Sequence, residues 1–194
     1  SKTMNAEPTR SIPVWDPAVR LFHWTLAGAF LVAYVTEDDW ERLHVNAGYL
    51  IGTLIVLRLL WGFIGPRHAR FTDFVRTPRE VISYAVAAMR HRAPRYIGHN
   101  PMGGAMVLAL LISLTLTVVT GIALYGTTDF AGPLAGVWRG EFAADLLEET
   151  HETGANLTLF LVILHLGGVL FSSLERGENL INSMVTGRKK EVGT

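Results

Sequence analysis

HETGANLTLFLVILHLGGVLFSSL, residues 151–174, decides the fold: from Thr153 to Leu174 it contains no Asp, Glu, Lys or Arg. An uncharged run of that length passes the ~18–20 residues needed to cross a bilayer's hydrocarbon as a helix. Within it, His151 and His165 stand 14 positions apart. On an α-helix that is about 21 Å of rise and about 40° short of four full turns, so the two imidazoles share one face at two depths.

Working outward, Tyr96 to Thr128 is a second uncharged run. Two shorter apolar stretches precede it, and the chain reads as four spans over about residues 19–37, 43–64, 101–126 and 148–174. The expected architecture is an all-α integral membrane four-helix bundle, one domain over residues 1–194. The first span is the shortest. A signal peptide flanked by Lys2, Arg10 and Arg20 is its competing reading. No small-residue cleavage site follows, and Trp40 suits an interface anchor, which favours a span.

With 194 residues, 49% hydrophobic and 18% charged, and a mean hydropathy of +0.30, the chain fits neither a soluble globular domain nor a disordered one. Seventeen basic residues balance 17 acidic ones, which speaks against a nucleic-acid partner. There is no cysteine, so disulfides, thiolate zinc, iron–sulfur clusters and covalently attached haem are excluded. Any redox centre must rest on the seven histidines.

The segments 1–20, 65–100 and 175–194 hold 14 Lys/Arg, against two, Arg42 and Arg139, in 37–42 and 127–150. The positive-inside rule therefore predicts both termini in the cytoplasm of a multi-pass inner-membrane protein embedded in lipid. The opposite loops carry nine acids, Glu37, Asp38, Asp39, Glu41 and Glu148 among them. On the basic side, Thr77-Pro78-Arg79-Glu80 reads as a capping box opening an amphipathic interfacial helix. Residues 179–190 read as a shorter one.

Four histidines fall in the spans. His23 begins the first on the basic side, His44 the second on the acidic side, and His151 and His165 lie in the fourth. Matching depths pairs His44 with His151 and His23 with His165. Two imidazoles from different helices at one level suit a bis-histidine haem in a bundle core. Zinc, which wants three or four protein ligands, suits such pairs poorly, and helix capping accounts for one histidine better than for two matched pairs. His68, His91 and His99 fall in the basic connection, where solvated or headgroup-facing positions are expected and His99 has the option of lining an inner site. Gly48, Gly52, Gly154 and Gly168 keep helix faces open, for a planar cofactor or for close packing. Arg58, 14 residues after His44, takes the same face at the inner level. A haem propionate or quinone oxygen is one partner for it, and snorkelling to the interface is the alternative. Arg20 shares the face of His23 nearer the surface.

These residues resemble a known family. Val14-Trp15-Asp16-Pro17 leading to Arg20-Leu21-Phe22-His23-Trp24 is similar to the opening motif of bacterial cytochrome b561 and hydrogenase-type cytochrome b proteins. Arg58-Leu59-Leu60-Trp61-Gly62-Phe63-Ile64-Gly65 with Ala69-Arg70-Phe71, Gly98-His99-Asn100-Pro101-Met102-Gly103-Gly104, and the histidine pair ahead of Ser172-Ser173 and Glu178-Asn179 resemble its later motifs. The likeness spans about residues 13–190. It implies two haem b groups held by His23, His44, His151 and His165, and electron exchange with ubiquinone or menaquinone. A periplasmic redox protein, either a c-type cytochrome or an enzyme subunit, completes that expectation. It leaves open a superoxide oxidase and a membrane-anchor cytochrome of a hydrogenase or dehydrogenase. The acidic outer loops would repel superoxide. The first outer loop, about six residues, is shorter than the family's pattern leads one to expect.

Overall fold

The computed structural model describes residues 11–190. Lys2 and Arg10, counted above with the basic residues, lie outside that range. Four long helices cross in up-and-down order: α1 (Pro17–Val35), α2 (Glu41–Ile64), α5 (Pro101–Thr128) and α6 (Glu141–Arg176). All four are long and apolar enough to span a membrane. Between α2 and α5 come a 3₁₀ turn (Arg67–Ala69), α3 (Phe71–Phe74) and α4 (Pro78–Met89). After α6 follow α7 (Leu180–Thr186) and β2 (Arg188–Lys190), which pairs antiparallel with β1 (Ser11–Pro13).

Local chemistry sets the starts and stops. The Asp16 carboxylate accepts from the backbone N–H groups of Ala18 at 2.9 Å and Val19 at 3.1 Å, and Pro17 occupies the first turn. Asn100 and Pro101 open α5 in the same way, with the Asn100 side chain accepting from Gly103 at 2.7 Å. Thr77 and Glu80 form the expected capping box of α4. Gly177, at φ 61°, ends α6 in the left-handed conformation that glycine adopts without a side-chain penalty.

Packing is arranged for a hydrocarbon solvent. Ala29 and Ala33 of α1 meet Ala47, Ile51 and Ile55 of α2 and Leu114 of α5 in a narrow core. Large apolar side chains such as Leu31, Leu57, Ile112 and Ile163 are turned outward. The α5–α6 seam is small and polar: the Ser113 and Thr158 hydroxyls lie 2.7 Å apart, and a Cβ on Gly154 would stand 2.6 Å from Thr117 Oγ1. Small residues let membrane helices approach closely, and hydroxyls add interhelical hydrogen bonds.

The basic connection folds back under the bundle. The Phe71 ring seats against Gly62 of α2, and the Phe74 backbone seats against Gly104 of α5, contacts that leave no room for a side chain at either glycine. Phe74 is fully buried. Two expectations need adjusting. The fourth helix begins at Glu141, about two turns before the predicted start, because residues 141–147 continue it beyond the apolar run. The stretch 179–190 is helical only to Thr186. Its last residues form β2, whose backbone finds its partners in β1 rather than within a helix.

Candidate functional site

His44, in the first turns of α2, faces His151 of α6 with ring centroids 6.0 Å apart and planes at 85°. His44 Nδ1 lies 2.8 Å from the Ala33 carbonyl of α1, and His151 Nδ1 lies 2.7 Å from the Thr117 carbonyl of α5. A carbonyl only accepts, so each Nδ1 carries the proton and donates, leaving the Nε2 lone pair free. That is the arrangement by which proteins fix the tautomer and aim of a metal-binding histidine. Gly121 makes room for it: a Cβ there would stand 2.7 Å from His151 Cε1. A cavity of about 480 Å³ opens beside the pair, lined by Phe30, Tyr34, Gly48, Tyr49 and Val118 among others. Its rim carries Glu37, Asp38, Glu41, Asp129, Glu148 and Glu152.

The second pair lies toward the basic side. His23 of α1 faces His165 of α6 with centroids 6.3 Å apart and planes at 57°. Trp24 packs edge-on to His23 at 5.0 Å. His23 Nδ1 is buried and has no hydrogen-bond partner among the described residues. A Cβ added at Gly28 or Gly168 would meet nothing within 4 Å.

Both separations fit one metal ion held between two rings. An imidazole nitrogen binds at about 2.0–2.1 Å and the ring centre lies about 1.1 Å beyond it, so two rings facing across one ion would stand about 6.2–6.4 Å apart between centroids. Among the described residues no three His, Cys, Asp or Glu side chains converge as a metal cluster, so each level offers two imidazoles. Two axial nitrogens with open space between helices suit a metal whose other positions are filled by a planar macrocycle.

A family model described as prokaryotic cytochrome b561 matches residues 14–187. The chain belongs to that family. It is therefore a b-type membrane cytochrome, a protein of electron transfer. It is similar to a probable Ni/Fe-hydrogenase B-type cytochrome subunit of Bradyrhizobium diazoefficiens, 23% identical over 216 aligned positions that cover 93% of this chain and 86% of that protein. The corresponding proteins of Cupriavidus necator (27% identical) and Escherichia coli K12 (26%) match over 90% of this chain and over 85% and 88% of their own lengths. The alignments run past 210 positions against a chain of 194, so these relatives carry residues with no counterpart here. No solved structure matches the chain.

In this cytochrome Arg58 does not snorkel. It is buried, with its guanidinium carbon 5.2 Å from the Phe71 ring centre and 5.8 Å from that of Phe74, and its Nη1 has no partner among the described residues. Arg20 is turned toward α7, donating from Nη1 to the Val185 carbonyl at 2.6 Å, while its Nε is buried and has no partner among the described residues. His99 sits between Trp15, at 4.6 Å, and Phe74, at 4.8 Å. Burial, reinforced by the Arg58 and Lys189 cations, pushes its pKa down to about 3, so the ring is neutral at physiological pH. His68 is not simply solvated: its Nδ1 lies 3.1 Å from Asp73 Oδ2. His91 is exposed beside Glu175 at 3.5 Å.

Several functional contributors escape a reading of side-chain types. The carbonyls of Ala33 and Thr117 carry no sequence signature. Phe71 and Phe74 lie beyond the span they cover. Tyr34 Oη donates to Asn156 Oδ1 at 2.9 Å, linking α1 to α6 between the two histidine levels, and its only hint is an amide inside an apolar run.

Proposed function

We propose that this cytochrome holds two haem b groups, one between His44 and His151 and one between His23 and His165, and carries electrons across the membrane. The observation that carries the reading is the pair of ring separations, 6.0 and 6.3 Å, at two levels of one bundle. When bound, each haem supplies a one-electron Fe(III)/Fe(II) couple. With two histidines to hold each haem, the iron would have no protein-free position for oxygen, and the chemistry supplied would be outer-sphere electron transfer. The carbonyls of Ala33 and Thr117 hold the outer rings in one tautomer and orientation. Arg58, whose buried Nη1 has no partner among the described residues, is the residue for an inner propionate or a quinone oxygen.

The distribution of basic residues supports cytoplasmic termini and a periplasmic acidic face. Quinone, ubiquinone or menaquinone, exchanges electrons with the protein, and the periplasmic partner docks on the acidic rim. The relatives' names favour a hydrogenase as that partner, which would make this chain its membrane-anchor cytochrome and the route from enzyme to quinone. A basic c-type cytochrome is the second reading, favoured by the six acids around the outer cavity. Superoxide oxidation fits that rim least, since an anion is repelled there.

Haem extraction and pyridine haemochrome on the purified protein should give two b haems per chain, low-spin, both reducible by quinol. One haem, or a high-spin spectrum, sinks the four-ligand assignment. Co-purification of a larger periplasmic enzyme separates the anchor reading from the c-type cytochrome one.

A further inference from the structure

On the basic side a second cavity, of about 320 Å³, opens beneath the 3₁₀ turn and α3. Its lining includes Arg67, His68, Asp73, Arg76, Arg95 and Ile97. Three guanidiniums thus line one cavity with a single carboxylate, Asp73. Arg67 Nε stands 3.4 Å from Asp73 Oδ1, His68 Nδ1 lies 3.1 Å from Asp73 Oδ2, and Arg76 Nη2 donates to the Asp73 carbonyl at 2.9 Å. Arg95 pairs with Glu178, outside the lining, and donates to the Lys190 carbonyl at 2.9 Å. Even with Glu178 counted, the cations outnumber the anions. Donors are left over as well. A guanidinium has five N–H groups, and Arg95 Nε is buried without a partner among the described residues.

We propose that this cavity binds the phosphate of an anionic phospholipid from the leaflet on the basic side. Forked guanidiniums match phosphate oxygens two at a time, which a lysine cluster would not do. The neighbouring surface supplies what a lipid has and a free anion lacks. Ile97 lines the cavity and is 48% exposed, and α4, whose Tyr84 ring stands 5.8 Å from that of the cavity-lining Tyr96, exposes Ile82 at 65% and Met89 at 73%. With cytoplasmic termini, the leaflet in question is the one whose anionic lipids draw basic segments to the surface. The inference rests on that orientation and not on the haem assignment.

The test is native mass spectrometry of the full chain, purified in detergent and offered equimolar phosphatidylglycerol and phosphatidylcholine. Phosphatidylglycerol should be retained in preference. Arg67→Gln with Arg76→Gln should weaken its retention at least about tenfold, since charge-assisted hydrogen bonds to the phosphate are lost. Arg90→Gln with Arg92→Gln, exposed on the same side outside the cavity, should leave retention unchanged. Equal loss in both double variants means diffuse surface charge and overturns the site. Displacement of phosphatidylglycerol by millimolar inorganic phosphate overturns the lipid assignment in favour of a free-anion site. Helical circular dichroism checks folding. If the glutamine pair fails to fold, Arg67→Lys with Arg76→Lys replaces it and should retain the lipid more weakly than wild type; unchanged retention overturns the proposal.

Discussion

His44 and His151 meet edge to face at 6.0 Å, and each is held from behind by a backbone carbonyl of yet another helix, Ala33 of α1 and Thr117 of α5. All four spans thus converge on one pair of rings. Disturbing any one span should be felt at this level, although only two spans contribute a ligand.

Replacing His151 with alanine should remove the outer haem and leave the inner one, and replacing His165 should do the reverse. Haem content should fall by half in each single variant and to none in the double. Redox titration identifies which couple remains. Loss of the same couple from both single variants would refute pairing by depth.

Gly121→Ala should disturb the outer haem without touching a ligand. The added Cβ would sit 2.7 Å from His151 Cε1 and 3.0 Å from its Nδ1, so the ring must shift off the Thr117 carbonyl. The expected readouts are lower outer-haem occupancy and a shifted potential for that couple alone. Gly167→Ala, exposed and with open space around its Cβ, is the matching control. If both variants keep wild-type spectra, Gly121 does not set the position of His151.

Arg58→Leu should lower the inner potential, because a nearby cation favours the reduced iron, which carries one positive charge fewer. The outer potential should hardly move. Arg58→Lys should rescue in part, since a point charge lacks the guanidinium's fork. If the leucine variant keeps both potentials and quinol turnover, the aromatic cover of Phe71 and Phe74 is the whole of Arg58's role.

Electron transfer to a basic c-type cytochrome should slow with salt as the Debye length falls from ~10 Å at 0.1 M to ~3 Å at 1 M. Glu148→Gln with Glu152→Gln should flatten that dependence, since both residues belong to the outer rim. A stopped-flow rate indifferent to salt would remove the rim from the docking surface.

His99 gives stability a pH dependence. Its pKa is about 3 in the fold and 6.5 without it, so below pH 6.5 the unfolded chain binds a proton that the folded one refuses. The contribution is complete above pH 6.5 and is lost as pH falls toward 3, at up to ~1.4 kcal/mol per pH unit. Denaturation in detergent at pH 7 and pH 4.5 should show a smaller acid loss in His99→Gln than in wild type. Equal losses would place the acid sensitivity elsewhere.

The four spans were legible because hydrocarbon imposes a length and an absence of charge that no other environment demands. The capping box at Thr77 was legible because its chemistry is local. The start of α1 was also written in the chain, as Asp16-Pro17, a cap followed by proline, but hydropathy alone set the expected boundary later. Hydropathy likewise misses the extra turns from Glu141, which leave the apolar run behind. The meeting of His23 with His165 could be reasoned from depth, whereas the burial of Arg58 could not. That burial depends on Phe71 and Phe74 folding back onto Gly62 and Gly104, contacts that periodicity within one helix does not report. The β1–β2 pair was equally hidden, being three residues long on each side and made by backbone alone.

That strand pair bears on the order in which the molecule is made. Arg188 Nη2 and Nε donate to the Ser11 carbonyl and hydroxyl across 177 residues of sequence, bonds that cannot form until the chain through Arg188 has left the ribosome. The α1–α2 and α5–α6 hairpins join sequence neighbours and can pair as they emerge. The junction of α1 with α6 is therefore the last to seal, and it is the junction that holds His23 against His165. During biogenesis the slot between those two rings stays accessible from the side longest, until the pairing of β1 with β2 ties it shut.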